Sequence, residues 1–282
     1  MKVRSPCQAG AFYSGTKSSL TKQIENCFLH KYGPGKLPEV NRKGKRSIVA
    51  AVCPHAGYMY SGAVAANSYY ALAKDGTPQT CVILGPNHTG MGSGISILAD
   101  GAWETPLGVS SIDTETAKKI QQQTKIIDID ESAHRLEHSI EVQLPFIQYV
   151  YGLGVKIVPI CMMMQDLTTS IEVGEAIANA ISRSNTVVIA SSDMTHYENH
   201  EAASKKDRLV IEAVLDLDEE SLQKVVESQN ISMCGYGPVT AAIRAAKLLG
   251  ARNASLLSYK TSGDVTGDTS AVVGYASISI AK

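Results

Sequence analysis

The chain has 282 residues, of which 44% are hydrophobic and 19% are charged, and its formal net charge is -1 at pH 7. This length and composition suit a protein that buries a large core, and we expect one domain over residues 1–282. The balanced charge argues against general nucleic-acid binding, which depends on excess positive charge. No apolar run approaches the roughly 18 residues of a membrane helix, so neither nucleic acid nor a membrane is an expected partner.

Two features of the sequence favour the cytoplasm. The first residues include Lys2 and Arg4 but no apolar stretch of the kind found in secretory signals. The six cysteines are dispersed and form no CxxC pair, as is ordinary for thiols in a reducing compartment. We therefore expect no disulfides and a cytoplasmic location.

Apolar runs and helix-like segments alternate along the chain. Continuous apolar runs such as residues 48–52 are typical of strands covered on both faces, as in a parallel sheet. The predicted strands are residues 48–52, 80–84, 95–99, 155–160, 186–190, 254–259 and 271–280. The predicted helices are residues 18–31, 62–74, 113–123, 137–151, 171–181, 209–217, 221–229 and 239–249, and residues 103–108 are predicted as a loop. This alternation predicts an α/β fold, namely a single-domain three-layer α/β/α sandwich with a mostly parallel mixed central sheet.

Polar side chains capable of chemistry follow the ends of three predicted strands. His55 and His88 come directly after strands that stop at a proline, and Asp193 and His196 follow the strand 186–190. Ligands of open α/β sheets bind at the carboxyl ends of the strands. We therefore expect these side chains to lie near one another at one edge of the sheet.

A fifth reactive side chain, Cys234, lies in a glycine-containing loop ahead of the predicted helix 239–249. Imidazole and thiolate are natural ligands of transition metals, and a site formed by His55, His88 and Cys234 would leave a coordination position open. The spacing of these three residues is not diagnostic. Three independent structural residues are an alternative that spacing alone leaves open.

Two further histidine pairs have helical spacing. His134 and His138 are four residues apart, as are His196 and His200, which on a helix would place each pair on one face. Neither pair has the glutamate directly after the first histidine that the HExxH metalloprotease motif requires.

Nucleophilic catalysis is another alternative for Cys234. A thiol nucleophile needs one histidine as its base, and Asp193 could orient that histidine. Unlike a metal site, this arrangement would tolerate replacement of the second histidine.

The segment 137–151 has apolar residues at helical spacing and predicts an amphipathic helix. On such a helix Ile140 and Leu144 would face the core while His138 faces the cleft. The favourable position of a carboxylate in a first helical turn accounts for Glu137 without any further role.

Several motifs, taken in order, resemble those of the Memo family. They are PHAGY at 54–58, LGPNH at 84–88, EHSIEVQLPF at 137–146, SSDMTHY at 191–197 and the loop of Cys234 and Gly235. AGAFYSG at 9–15 and ETPLG at 104–108 fit as well, so the resemblance covers nearly the whole chain. The Memo family is similar to the class III extradiol ring-cleaving dioxygenases, which are non-haem iron enzymes with an α/β sandwich fold.

The resemblance implies a metal site with His55, His88 and Cys234 as ligands. Iron or copper is the expected metal, and zinc is a third possibility. The dioxygenases hold iron with two histidines and a carboxylate, whereas here the third position is a cysteine. A thiolate alters both the metal preference and the redox behaviour of such a site.

The resemblance also implies the residues around the metal. His138, His196 and Asp193 would line the same cleft, with a histidine as the general acid or base and Asp193 fixing its tautomer. The expected substrate-binding residues are Tyr58, Asn87, Glu141 and Trp103. A structural anchor at the rim is an equal alternative for Trp103.

The expected function is that of a metal-binding protein with redox or oxidative activity, resembling the non-haem iron dioxygenases, on a small molecule that the sequence does not identify. The alternative is a non-catalytic module that binds a peptide or phosphopeptide in the same cleft, because animal relatives of the family are associated with signalling. Family membership alone does not decide between these functions.

Overall fold

The computed structural model describes residues 2–182 and 185–282. The strands are β1 (Val3–Arg4), β2 (Ile48–Cys53), β3 (Thr80–Pro86), β4 (Ile95–Ile97), β5 (Ala102–Thr105), β6 (Gly108–Ser111), β7 (Asp128–Ile129), β8 (Lys156–Met162), β9 (Thr186–Ser191), β10 (His196–Glu198), β11 (Asn253–Thr261) and β12 (Val272–Ala281). The helices are α1 (Lys17–Leu29), α2 (Tyr58–Asp75), α3 (Thr114–Gln121), α4 (Leu144–Tyr151), α5 (Leu167–Ile181), α6 (His200–Leu215), α7 (Glu219–Ser228), α8 (Tyr236–Leu248) and α9 (Ser262–Thr266). Short 3₁₀ turns occur at Ser132–His134 and Glu141–Gln143.

The main sheet has a parallel centre and antiparallel edges. Its strand order is β10-β12-β2-β9-β3-β8-β4-β7, with β11 also paired to β12. Strands β2, β9, β3 and β8 run parallel to their neighbours within this group. Strand β12 is antiparallel to β2, and β4 is antiparallel to β8. The predicted α/β fold with a mixed sheet is therefore confirmed.

Helices cover both faces of this sheet. Helices α1, α2 and α4 pack together on one side, where α2 contacts β2 and β12. Helices α5, α7 and α8 form a second group, in which α8 contacts β2, β3 and β9. All six residues of β2 are buried, as expected for a wholly apolar strand between two helical layers. The three-layer sandwich follows from this burial.

The strand register brings three loops to one edge of the sheet. Cys53 at the end of β2 pairs with Ser191 at the end of β9, and Leu84 in β3 pairs with Ala190. The three parallel strands thus end side by side. The loops that carry His55, His88 and Asp193 leave the sheet at neighbouring points, as the carboxyl-end rule predicts.

Two predicted elements are wrong. Residues 137–140 are not helical, and α4 begins only at Leu144, after the 3₁₀ turn. The Glu137 carboxylate accepts hydrogen bonds from the amides of His138 and Ser139, and these bonds compete with a helical backbone. Pro145 favours a helix that starts at the neighbouring Leu144. Residues 103–108 are not a loop, because β5 and β6 form an antiparallel hairpin.

Within residues 2–182 and 185–282, none of the helices combines the length and the apolar character needed to cross a bilayer.

Candidate functional site

Three imidazoles converge at the edge of the sheet where the parallel strands end. One nitrogen from each of His55, His88 and His138 lies within 4.8 Å of the others. The ring centroids are separated by 5.3 Å for His55 and His88, 5.4 Å for His55 and His138, and 4.5 Å for His88 and His138. Three nitrogen donors at these separations can hold a transition metal ion.

Cys234 joins this group through its contact with His55. Its Sγ lies 3.2 Å from Nε2 of His55 and accepts a hydrogen bond of 3.2 Å from the amide of Asp193. The turn before α8 therefore delivers the thiol to His55, but within the described residues the three donors that lie within 4.8 Å of one another are those of His55, His88 and His138, without Cys234. The structure also places His138 close enough to His55 and His88 to share a metal ion with them. The sequence predicts His138 only as an acid or base.

His55 is buried, and both its backbone and its ring are held by the end of β9. Its amide donates a hydrogen bond of 2.8 Å to Oδ1 of Asp193, and its Nδ1 lies 2.9 Å from Oγ of Ser191. Burial, with the neighbouring His138 and His88, lowers the pKa of His55 well below its ordinary value. His55 therefore presents a neutral ring whose Nε2 faces Cys234.

Glu137 organises the other two histidines. Its Oε1 lies 2.9 Å from Nδ1 of His88 and accepts the amides of His138 and Ser139, while its Oε2 accepts the amide of His88 at 2.5 Å. Burial by itself raises the pKa of Glu137, but the hydrogen bonds from His88 and Ser139 outweigh it and bring that pKa to about 2. The carboxylate is ionised and fixes His88, a role that the helix-terminus interpretation did not predict.

The remaining predicted acid and base groups, Asp193 and His196, also face the cleft. Burial raises the pKa of Asp193 to about 6, against the effect of its hydrogen bond from the His55 amide. Nδ1 of His196 donates to the carbonyl of Ser232 at 2.9 Å, since a carbonyl can only accept. Burial lowers the pKa of His138 to about 4, so His138 is a neutral imidazole at physiological pH.

These side chains line a cavity of about 710 Å³, here called the histidine cleft. Its polar lining consists of His55, His88, His138, Asp193 and His196. Its apolar lining includes Phe12, Met59, Tyr60, Tyr197, Val273 and Tyr275. The ring of Phe12 packs edge-on against His138 at 4.8 Å between centroids. A volume of this size accepts a small organic molecule or one amino-acid side chain.

Glu141, predicted to bind substrate, is not among the residues that line the histidine cleft. Its buried carboxylate accepts hydrogen bonds from Nη1 of Arg4 at 2.7 Å, from the hydroxyl of Tyr13 at 2.6 Å and from the amides of Cys7 and Gln8 at 2.9 Å. All of its acceptor capacity is used within the protein. Its role is to hold the N-terminal segment that carries one wall of the cleft.

Tyr58 and Trp103 also lie outside the cleft lining. Tyr58 is buried, and its hydroxyl donates to the carbonyl of Val142 at 2.7 Å. Trp103 is fully buried on β5, with the guanidinium of Arg4 stacked 4.1 Å from its ring centroid. The structure thus brings neither side chain to the histidine cleft, and the structural alternative for Trp103 fits its burial.

Asn87, also predicted to bind substrate, shapes the turn after β3 and is not among the residues that line the histidine cleft. Its Oδ1 accepts the amides of Thr89 at 2.9 Å and Gly90 at 3.0 Å, and its Nδ2 donates to the carbonyl of Met91 at 2.7 Å. These bonds are typical of an asparagine turn. The rigid turn fixes the backbone next to His88.

The alternatives left open by spacing do not match the structure. His134 belongs to a 3₁₀ turn and His138 lies beyond it, while His196 lies in β10 and His200 begins α6, so neither pair shares a helix face. Sγ of Cys234 does lie 3.2 Å from Nε2 of His55, as a thiol nucleophile would need, but Nδ1 of His55 is held by Ser191, whereas Asp193 bonds to the His55 amide and does not orient the ring.

Gln143 and Ser191 support His55, and although both lie within the Memo-like motifs, no pattern singles them out. Nε2 of Gln143 donates to Oγ of Ser191 at 2.8 Å, and both side chains are buried. A polar residue inside an apolar run has no pattern that reveals its partner.

Known proteins of one family are similar to this chain over nearly its whole length. The family described as Memo-like protein matches residues 4–279. A MEMO1 family protein of Methanopyrus kandleri is 55% identical over 277 residues, covering 98% of each chain, and one of Methanocaldococcus jannaschii is 52% identical over 284 residues, also covering 98% of each chain. A third, from Sulfurisphaera tokodaii, is 49% identical over 280 residues with 98% of each chain covered.

A solved structure supports the fold. The crystal structure of an uncharacterized protein from Escherichia coli K12 aligns with a TM-score of 0.58 over 83% of this chain and 99% of that chain, at 13% sequence identity. At that identity the likeness concerns the fold alone. The family match and the near-complete coverage of the relatives carry the assignment: this chain belongs to the Memo family.

Proposed function

We propose that this chain binds a redox-active transition metal in the histidine cleft and uses it in oxidative chemistry on a small organic molecule. His55 and His88 would hold the ion, with Cys234 as the third ligand and His138 as a further donor beside them. Iron or copper suits this mixture of imidazole and thiolate best, and zinc would also fit it. The observation that carries the proposal is the meeting of the imidazole nitrogens of His55, His88 and His138 within 4.8 Å of one another, and the place of Cys234 in the ligand set is supported by its contact of 3.2 Å with His55.

The hydrogen bonds of the histidines support metal binding. Metal-bound histidines in proteins usually donate their second ring N–H to a carboxylate, a carbonyl or another polar oxygen. Here Nδ1 of His88 lies 2.9 Å from Glu137, and Nδ1 of His55 lies 2.9 Å from Ser191. Both rings are thus held in fixed orientations and keep Nε2 for a ligand.

The cleft also holds groups that can move a proton. His196 donates its Nδ1 hydrogen to Ser232, which leaves its Nε2 as the acceptor on the cleft side. Burial raises the pKa of Asp193 to about 6, so its carboxyl takes up a proton at a higher pH than an ordinary aspartate does. We propose His196 as the general acid or base and Asp193 as its electrostatic partner. When bound, an iron or copper ion would supply one-electron and oxygen chemistry.

Six free thiols fit a reducing environment, which supports a cytoplasmic location.

Metal content and oxygen uptake test the proposal. The chain is purified without a His tag, loaded separately with Fe²⁺, Cu⁺ or Zn²⁺, and analysed for bound metal, after which oxygen consumption is followed with a panel of catechols. We expect about one ion per chain and metal-dependent oxygen uptake. A His30→Ala variant is the matched control, because His30 lies at the end of α1 and contacts Tyr32 instead of the cleft. Substoichiometric metal with no turnover would contradict the proposal.

The second candidate is a non-catalytic module that binds a peptide or phosphopeptide in the histidine cleft. It is favoured by the exposed rim, where Met59 is 67% and Tyr197 is 79% exposed. Tyr197 also has a positive φ of 60°, an uncommon conformation for a tyrosine and one often kept at binding sites. Peptide binding that survives His88→Ala, together with no oxygen uptake, would favour this candidate over the enzyme.

A further inference from the structure

The hydroxyl of Ser191 occupies a buried position at the end of β9, between three polar groups. It lies 2.6 Å from the carbonyl of Ser139, 2.8 Å from Nε2 of Gln143 and 2.9 Å from Nδ1 of His55. All four residues are buried. The donor and acceptor roles of each group can therefore be settled by elimination.

The orientation of the Gln143 amide is fixed by a backbone carbonyl. Its nitrogen lies 3.0 Å from the carbonyl oxygen of Pro54, which cannot donate, so the nitrogen must face that way. Its oxygen accepts the hydroxyl hydrogen of Tyr69 at 2.7 Å. Gln143 consequently donates to Ser191 and cannot accept from it.

The single hydrogen of Ser191 is also committed. The carbonyl oxygen of Ser139 can only accept, and at 2.6 Å an oxygen pair without a hydrogen between them would repel. Ser191 must donate to Ser139, and one of its lone pairs takes the hydrogen from Gln143. Only the other lone pair faces His55. Nδ1 of His55 must therefore carry a hydrogen, whether the ring is neutral or charged.

We propose that Ser191, held in place by Gln143, is a positioning residue that excludes the Nε2–H tautomer of His55. Nε2 then keeps its lone pair directed toward Cys234, whose Sγ is 3.2 Å away, and a metal ion can bind there without prior proton rearrangement. The benefit of this tautomer for metal binding rests on the proposed function. The tautomer itself does not, because it can be measured in metal-free protein.

The test is the tautomeric state of His55 by NMR. Uniformly ¹⁵N-labelled protein is stripped with EDTA, and two-bond ¹H–¹⁵N correlations distinguish protonated from unprotonated ring nitrogens, with His55→Gln used to assign the signals. We expect wild-type His55 to carry its hydrogen on Nδ1. In Ser191→Ala the population of the Nε2–H tautomer should rise at least about fivefold, because one buried hydrogen bond of Nδ1 is lost.

Ser277→Ala is the matched control. Ser277 is also a buried serine in the same sheet that donates to a backbone carbonyl, that of Val64 at 2.6 Å. The His55 signals should not change in this variant. A second readout is Zn²⁺ affinity, which Ser191→Ala should weaken by about 10–100-fold and Ser277→Ala should leave unchanged.

An Nε2–H tautomer in wild-type His55, or a folded Ser191→Ala variant with the wild-type tautomer, would overturn the inference. If Ser191→Ala does not fold, the wild-type spectrum decides the question by itself. A wild-type chain that bound no metal would instead overturn the proposed function, and the spectrum would still decide the tautomer.

Discussion

Sγ of Cys234 lies 3.2 Å from Nε2 of His55, although 179 residues separate the two in the chain. The contact joins the turn before α8 to the loop after β2, so it depends on the whole sheet being assembled. A cysteine and a histidine brought together over such a distance, beside two further histidines, form a donor set that a transition metal can use.

Substitution of the donors should separate the ligands from their neighbours. We expect His55→Ala to lower metal affinity by more than about 100-fold, beyond the effect of losing a residue that only supports a ligand. Cys234→Ser should weaken Cu⁺ more than Zn²⁺, because a soft thiolate favours Cu⁺. The measurement is competition titration with chromophoric chelators.

His138→Gln resolves the role of the third imidazole in the same titration. A loss smaller than that of Cys234→Ser is expected if the thiol is the third ligand. Equal affinity in wild type and Cys234→Ser would contradict that ligand set.

The ion pair of Glu141 with Arg4 should be important for stability. Their side chains are only 0% and 9% exposed, and breaking a buried pair by removing one partner costs about 3–5 kcal/mol. Glu141→Ala should therefore lower the free energy of unfolding by about this amount in urea titrations. Hydrogen exchange should also increase in the N-terminal segment that Glu141 holds.

The control for this prediction is the exposed pair of Glu115 and Lys119, whose side chains are 78% and 55% exposed. Glu115→Ala should cost no more than about 0.5 kcal/mol, as exposed helical pairs do. Equal costs for the two variants would contradict the structural role assigned to Glu141.

Gly274 in β12 leaves the space that Asp207 occupies. A Cβ at this position would collide with Oδ2 of Asp207, while Oδ1 accepts the amide of Thr195 at 2.9 Å. Gly274→Ala should lower the free energy of unfolding by about 1–3 kcal/mol, as overpacking of a core does. It should also displace the segment that carries His196. Gly154→Ala is the control, since its Cβ would meet nothing within 4 Å.

His134 should make the protein sensitive to acid. Burial and the charge of Arg4 lower the pKa of His134 from 6.5 to about 3, although the nearby Ser96 backbone favours the protonated ring. Neither ring nitrogen of His134 makes a well-formed hydrogen bond. Between these pH values the unfolded chain binds a proton that the folded chain does not. The stability from this group is thus complete above pH 6.5 and is lost as the pH falls toward 3.

His134→Gln removes this titration. The wild-type free energy of unfolding should fall between pH 6 and pH 4 more steeply than that of the variant, by at most about 1.4 kcal/mol per pH unit. Urea titrations at several pH values provide the measurement. Parallel pH profiles would show that folding does not lower the pKa of His134 and would contradict this prediction.

Much of the site could be predicted from local patterns. The apolar runs of β2, β3 and β9 identify buried parallel strands, and the proline and glycine residues after them mark where the strands stop. The carboxyl-end rule then places His55, His88 and Asp193 at one edge. Each of these inferences needs only neighbouring residues and a general property of α/β sheets.

The wrong predictions concern side chains whose partners are far away in sequence. Glu141 is read locally as a polar residue in the first turns of a helix, but its partner Arg4 is 137 residues away. The first turn of the helix predicted over 137–151 does not form, because Glu137 bonds to the amides beside it and to His88, 49 residues earlier. Periodicity contains no information about such contacts, which only the assembled fold supplies.

The metal site is tested most directly by anomalous diffraction at the iron and copper edges, from crystals of tag-free protein grown without chelator. We expect a single strong peak in the histidine cleft, about 2.0–2.4 Å from a nitrogen of His55, a nitrogen of His88 and Sγ of Cys234. A cleft without an anomalous peak in metal-loaded crystals, or a peak bound by other residues, would contradict it.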